Sequence, residues 1–288
     1  MLSLTSDYIT DEGTPEAFLG PMADAGFTHV HWCHEWNTDY LYTAADVRLA
    51  KEWLQAHGLQ LVDLHASAGI EKDWVSSDED ARQAGVELVR NRMRMTARLG
   101  GEVIVLHLRP QPAAMAAREA YWSQVRKSLD ALAAVSADLW VRIALENLSD
   151  DNYATLEQVF EDYDADFVGL CYDSGHGQIV AGGLDFLERV KDRLIALHLH
   201  DNDGKSDLHR LPLNGYVDWR RLMPLIAASP YNGPITLEAT IANSGFTEPG
   251  SFLRQAALKA TAVAGMLRLQ RERLAAGQAQ GSAADEAA

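Results

Sequence analysis

Short runs of β-branched and other apolar residues recur along the chain at Leu2–Ser6, Thr28–Trp32, Leu59–Leu64, Val103–Leu106, Val141–Leu145, Val168–Tyr172, Ile195–Leu199 and Ile235–Leu237. Between them the apolar positions fall three and four apart, the spacing of an amphipathic helix. Helix ends are marked as well. Pro15 stands near the start of the first helix and Gly26 just past its end, and the second places Val47, Ala50 and Leu54 on one stripe before Gly58. The third is expected to start at Ser77, with Asp80 three residues on, to bury Val86, Val89, Met93 and Ala97, and to end at Gly100-Gly101. Its arginines Arg82, Arg90, Arg92, Arg94 and Arg98 are expected on a solvated outer face.

Strand and helix patterns that alternate throughout predict βα units around a parallel sheet. Eight such units in 288 residues predict class α/β and a single (β/α)8 TIM barrel, a fold that typically takes about 250 residues. An open dinucleotide-binding sheet is disfavoured, because no Gly-x-Gly-x-x-Gly follows the first run. The barrel is expected over residues 1–270, and the alanine- and glycine-rich stretch 271–288, which lacks core-forming residues after Leu274, is expected to be a disordered tail.

Composition narrows the function. With 25 Lys and Arg against 41 Asp and Glu, the net charge is −16, which argues against a basic surface for nucleic acid. Two cysteines, Cys33 and Cys171, are too few for a disulfide framework. The first residues, Met1 to Gly13, carry no Lys or Arg and no secretion-type apolar stretch, and no run approaches the roughly 18 apolar residues of a membrane span. A cytoplasmic protein with no membrane partner is expected. No repeat or heptad sets an oligomeric state, and a homo-oligomer is left open.

In a barrel the C-terminal ends of the strands converge on one site. The first polar residues after the apolar runs are His65, His107, Glu146, Asp173 with His176, His198 and Glu238. So many ionisable residues at consecutive strand ends would each need a buried partner, and a shared cation meets that need. Imidazole and carboxylate without thiolate suit a divalent Mn, Zn, Fe or Co ion better than Ca or Mg. Asp207 and His209, two apart, form a second candidate clamp, and His200 competes with His198 as the ligand of its strand. His31 ends the second run, where lining the site and core packing are both open. Trp36 and Trp74 follow strands and could stack on a sugar ring or cover the barrel mouth, and Arg109 and Lys205 are the cations best placed for an anionic substrate.

Glu146, the Asp-Ser-Gly-His of 173–176, the His-Leu-His-Asp-Asn of 198–202 and Glu238 together resemble the xylose-isomerase-like TIM-barrel superfamily, which holds sugar isomerases and epimerases and the endonuclease IV type of nuclease. For the epimerase branch the resemblance implies one metal on Glu146, Asp173, His198 and Glu238, with His176 touching substrate. Glu146 and Glu238 would also be acid and base on either face of a cis-enediolate. His198 rather than His200 then fits the family's usual H-x-x-D-N. For the nuclease branch, His65, His107, Glu146, Asp173, His176, His198, Asp207, His209 and Glu238 look like the complete trinuclear zinc set, which raises the metal count to as many as three. Ala66-Ser67-Ala68-Gly69 has no large residue to wedge into a duplex, and Leu211-Pro212-Leu213-Asn214-Gly215 departs from the proline-glycine-rich turn of both branches.

The sequence thus predicts an isomerase or epimerase of a small sugar-like carbonyl compound, dependent on one to three Mn or Zn ions. The alternative is a multinuclear phosphodiester hydrolase. Glu146 and Glu238 are expected to be catalytic, and His176, Trp36, Trp74, Arg109 and Lys205 to bind substrate. The further metals would sit on His65, His107, His176, Asp207 and His209.

Overall fold

The computed structural model describes residues 1–66, 69 and 71–285, with side chains as far as 277. The parallel strands are β1 (Leu2–Thr5), β2 (His29–Trp32), β3 (Gln60–His65), β4 (Val103–His107), β5 (Arg142–Glu146), β6 (Val168–Asp173), β7 (Leu194–His198) and β8 (Ile235–Leu237). They run in the order β7-β6-β5-β4-β3-β2-β1-β8. A parallel bridge between Leu199 and Leu237 joins the two ends, with Leu199 N–H donating to Thr236 O (2.9 Å) and Glu238 N–H to Leu199 O (3.2 Å). The sheet is therefore a nearly closed TIM barrel, as the alternation of patterns predicts.

Around it lie α1 (Glu16–Asp24), α2 (Ala44–Ala56), α3 (Glu79–Leu99), α4 (Met115–Leu139), α5 (Tyr153–Asp162), α6 (His176–Ile179), α7 (Gly183–Val190), α8 (Trp219–Ala227) and α9 (Pro249–Asp285). Strand periodicity separates two cores. Outward residues such as Leu4, Val30, Ile104, Leu145, Leu170 and Leu197 pack under the helices, each worth about 1.5–3 kcal/mol on burial. The inward set is different. Val103, Val105, Ala144, Cys171 and Ala196 fill part of the interior, while Thr5, His31, Asp63 and Thr236 are buried polar residues where barrels usually carry bulky branched side chains.

Two register irregularities shape this interior. One falls between Val30 and His31 and sets His31 opposite Asp63. The other falls between Leu170 and Cys171, after which Asp173 lies opposite His198. A bulge of this kind re-aims the side chains beyond it.

Several expectations are corrected. The third helix is capped by Asp78, whose side chain accepts from Ala81 N–H at 2.8 Å, not by Ser77; a carboxylate there also complements the helix dipole. Arg82 and Arg92 do not face solvent. Arg82 is buried and donates to Ser128 Oγ (2.8 Å). Arg92, 0% exposed, donates to Tyr40 O and to Glu35 O (3.0 Å) and lies over the Tyr42 ring, because the 33–43 loop folds back onto α3. The chain beyond 270 is helical to Asp285, as alanine's high helix propensity allows, and Arg271 donates to Tyr231 O. Residues 286–288 of the expected tail, and Ser67 and Ala68 of the segment after His65, lie outside the described residues.

No helix among the described residues is long and apolar enough to cross a membrane. Cys33 and Cys171 are free and buried.

Candidate metal centre at the barrel mouth

Parity along each strand brings the predicted residues together. Glu146, Asp173, His198 and Glu238 each offer a ligand atom, all within 4.8 Å of one another. His198 Nδ1 lies 3.1 Å from Glu146 Oε1 and 3.1 Å from Glu238 Oε2. One ring nitrogen carries at most one proton, so it cannot satisfy both carboxylates. Asp173 Oδ2 and Glu238 Oε2 are buried without a hydrogen-bond partner. Orphaned buried acceptors beside an overcommitted imidazole fit a divalent cation, which would take up all of these lone pairs.

Two further groups adjoin this one. His65, His107 and Glu146 form a set of possible ligands, with His107 Nε2 3.0 Å and His65 Nε2 3.5 Å from Glu146 Oε2. On the other side Asp207 Oδ2 lies 3.0 Å from His176 Nε2 and 3.2 Å from His209 Nε2.

Three of these rings are held in a ligating orientation. His65 Nδ1 donates to Ala66 O (3.2 Å), His176 Nδ1 to Asn147 O (3.0 Å) and His209 Nδ1 to Glu238 O (2.7 Å). Carbonyl oxygens only accept, so each Nδ1 carries a proton, which leaves Nε2, turned toward the cluster, as the atom that would ligate a metal once it is unprotonated.

The loops are fixed to match. Asn147 pairs with the backbone of Asp173 in both directions, donating to its O (2.9 Å) and accepting from its N–H (2.8 Å). Asp173 Oδ1 accepts from His176 N–H at 2.6 Å, which ties the Asp-Ser-Gly-His turn into one unit. Gly175 is required there, because a Cβ would come within 1.9 Å of the His200 ring. Asp201 accepts from Val217 N–H (3.0 Å) and from Trp219 Nε1–H (2.9 Å), closing the loop that carries Asp207 and His209.

The charges reinforce one another. Burial opposes ionisation of Glu146, yet the neighbouring His198, His107 and His65 hold its carboxyl well below the usual range. Glu238 is likewise held low against burial by His198. His198 and His176 are held well above the usual imidazole range against burial, in part by Glu238 and Glu146 for the first and by Asp173 and Asp207 for the second. Burial also opposes the charge on His209, but Asp207 and Glu238 raise it to about 10.

The proposed substrate contacts divide. Trp36 stands at the mouth, its ring centroid 4.7 Å from His65 and 5.3 Å from His107. Trp74 does not offer a face to a ligand. It is 2% exposed and donates from Nε1 to His107 O (3.2 Å), packing behind β4. Arg109 and Lys205 are exposed loop residues. Sequence reasoning gave too little weight to His200, which stacks on His209 at 4.2 Å and lies 3.0 Å from Asp173 Oδ1. It overlooked Asp63, two residues before His65 on the inward face of β3, a position that strand periodicity marks.

The mouth of the barrel gathers histidines and carboxylates that could hold a divalent metal. A model of the family described as xylose isomerase-like TIM barrel matches residues 20–261, and the chain belongs to that family. The uncharacterised protein y4fM of Sinorhizobium fredii (strain NBRC 101917 / NGR234) is 33% identical over 274 residues, 86% of this chain and 88% of its own. Among solved structures, a D-tagatose 3-epimerase-like protein superposes with a TM-score of 0.75 at 18% identity, covering 95% of this chain and 99% of that one. An L-ribulose 3-epimerase superposes with a TM-score of 0.73 at 15% identity, covering 95% and 96%. At such identities the superpositions establish the shared barrel.

Proposed function

We propose that the protein is a divalent-metal-dependent isomerase or epimerase of a small sugar or related carbonyl compound. The observation that carries this reading is the pair Glu146 and Glu238, both 3.1 Å from the same His198 nitrogen. Two carboxyl groups from separate strands flank one seat, so that one, ionised, would serve as the base and the other, protonated, as the acid. Glu146, Asp173, His198 and Glu238 would hold the ion, whose Lewis acidity polarises a carbonyl. One glutamate removes the proton from the carbon next to the carbonyl, and the electron pair moves to form a cis-enediolate. The other glutamate returns a proton to the opposite face, and the carbonyl re-forms. Trp36 gives the ligand an apolar wall, and His176 is placed to hydrogen-bond a hydroxyl. The epimerases among the matching structures support the substrate class. The cytoplasm is the compartment this reading expects.

Incubation with a panel of ketopentoses and ketohexoses in deuterated water tests it. Deuterium is expected on the carbon beside the carbonyl, at a rate about 10²–10⁴-fold lower in Glu238→Gln. No exchange above that variant's background with any ketose would sink the proposal.

A second reading, a multinuclear phosphodiester hydrolase, is favoured by one observation: the His65–His107 and His176–Asp207–His209 groups adjoin the first seat and could hold further ions. Metal analysis separates the two, since about one ion per chain fits the isomerase and two or three fit the hydrolase. Cleavage of an abasic duplex would decide for the latter.

A further inference from the structure

His31 has no role in the reaction above, yet it is buried in the barrel interior at 0% exposure. Its environment repeats the one pattern that marks the candidate ligands. Nδ1 is in close contact with Asp63 Oδ1, and Asp63 is itself buried. A carboxylate facing Nδ1 accepts a hydrogen bond from it, so Nε2 carries the lone pair, which the Cys33 Sγ also approaches at 2.9 Å. That lone pair faces the cluster: Nε2 lies 3.9 Å from Glu238 Oε1, and the His31 and His198 ring centroids are 4.3 Å apart. One ligand atom from each of His31, His198 and Glu238 falls within 4.8 Å of the others. Within this group of residues, Glu238 Oε2 is buried without a hydrogen-bond partner.

The backbone is arranged for this contact. The register shift between Val30 and His31 places His31 beside Asp63, skipping Val62. Without it the ring would lose the carboxylate that orients it. A barrel interior at this level would more simply be filled by Val or Ile. A buried carboxylate–imidazole pair costs desolvation, and it is the arrangement that fixes the tautomer of a metal-binding histidine.

We propose that His31, oriented by Asp63, is a further metal ligand, supplied from β2 to a divalent transition-metal ion seated between His198 and Glu238. This rests on the metal-dependent reading above and adds an imidazole to it from a strand otherwise outside the site. The competing role for Nε2 is to accept the Cys33 thiol proton, since Cys33 Sγ lies 2.9 Å away.

The test is a titration of the chelator-stripped full chain with cobalt(II), read by its visible absorption and by competition with a chelator, with no substrate present. His31→Gln is expected to weaken cobalt binding about 10–100-fold and to alter the absorption band as one nitrogen ligand is lost. Asp63→Asn, which keeps the ring but loosens its orientation, is expected to weaken binding about tenfold without removing a ligand. Thermal melting of the stripped variants checks folding, and if His31→Gln does not fold, Asp63→Asn decides alone. Cobalt affinity within twofold of the parent in the folded variants would overturn the proposal and leave His31 to the Cys33 thiol. Since activity is not the readout, a parent that binds cobalt through His31 but exchanges no deuterium would refute the isomerase reading while leaving this one standing.

Discussion

Stripping divalent metal from the protein is expected to lower its melting temperature, by an amount the site and chain length set. The centre gathers Glu146, Asp173 and Glu238 around His198, so an ion would bind the folded chain and find no such site in the unfolded one. An ion at 100–1,000 times its dissociation constant stabilises the folded state by about 2.7–4.1 kcal/mol. With an unfolding entropy of about 2.1 cal/mol/K per residue, 288 residues give about 0.6 kcal/mol/K. The expected shift is therefore about 4–7 °C, rising with the logarithm of metal concentration. Scanning calorimetry with Mn, Zn or Co added to chelator-treated protein measures it. Asp173→Asn sharpens the test, because Asp173 Oδ2 is buried without a partner. Asn keeps an Oδ1 acceptor for His176 N–H while losing the charge, so the stripped variant should melt close to the stripped parent, while its gain on adding metal shrinks. Equal melting temperatures with and without all three metals would refute the cation argument. So would a stripped variant that melts far below the stripped parent, since Asp173 would then be structural.

Trp36→Ala removes the wall over His65 and His107; KM for the preferred sugar should rise about 2–12-fold, the equivalent of 0.5–1.5 kcal/mol of ring contact, with kcat little changed, and a collapse of kcat at constant KM would count against a binding role. His209 is raised to about 10 and must be neutral to ligate, so metal binding at neutral pH should release protons, seen by calorimetry in buffers of different ionisation enthalpy, and weaken as pH falls. In the metal-free protein the sign is opposite: the stability His209 contributes is fully present below its unfolded value near 6.5 and is lost as pH rises toward about 10. Melting temperatures of loaded and stripped protein should therefore diverge between pH 6 and about 9, and parallel curves would remove His209 from the ligands. Arg92→Met leaves the carbonyls of Tyr40 and Glu35 without their donor; at about 1–3 kcal/mol per buried unsatisfied group, urea unfolding should show a loss of about 2–6 kcal/mol, and a change under 0.5 kcal/mol would show that the loop does not depend on the clamp.

The amino-acid sequence by itself determined the barrel and most of its centre. Parity is the reason: a strand alternates its faces, so the residue that ends an apolar run is committed to the interior, and His107, Glu146, Asp173, His198 and Glu238 could be placed without coordinates. Other features depended on tertiary structure. Whether Arg92 meets solvent or carbonyls depends on the 33–43 loop folding over α3, and helical spacing carries no information about that loop. Trp74 and Trp36 look alike as post-strand aromatics, yet one packs behind β4 and the other lines the mouth. Composition argued against structure beyond 270, but the last helix continues to Asp285, as alanine's propensity allows. The pairing of His31 with Asp63 was also beyond sequence, since it turns on a one-residue register shift between β2 and β3. Local patterns specify which side chains point inward; only the assembled sheet sets which of them meet.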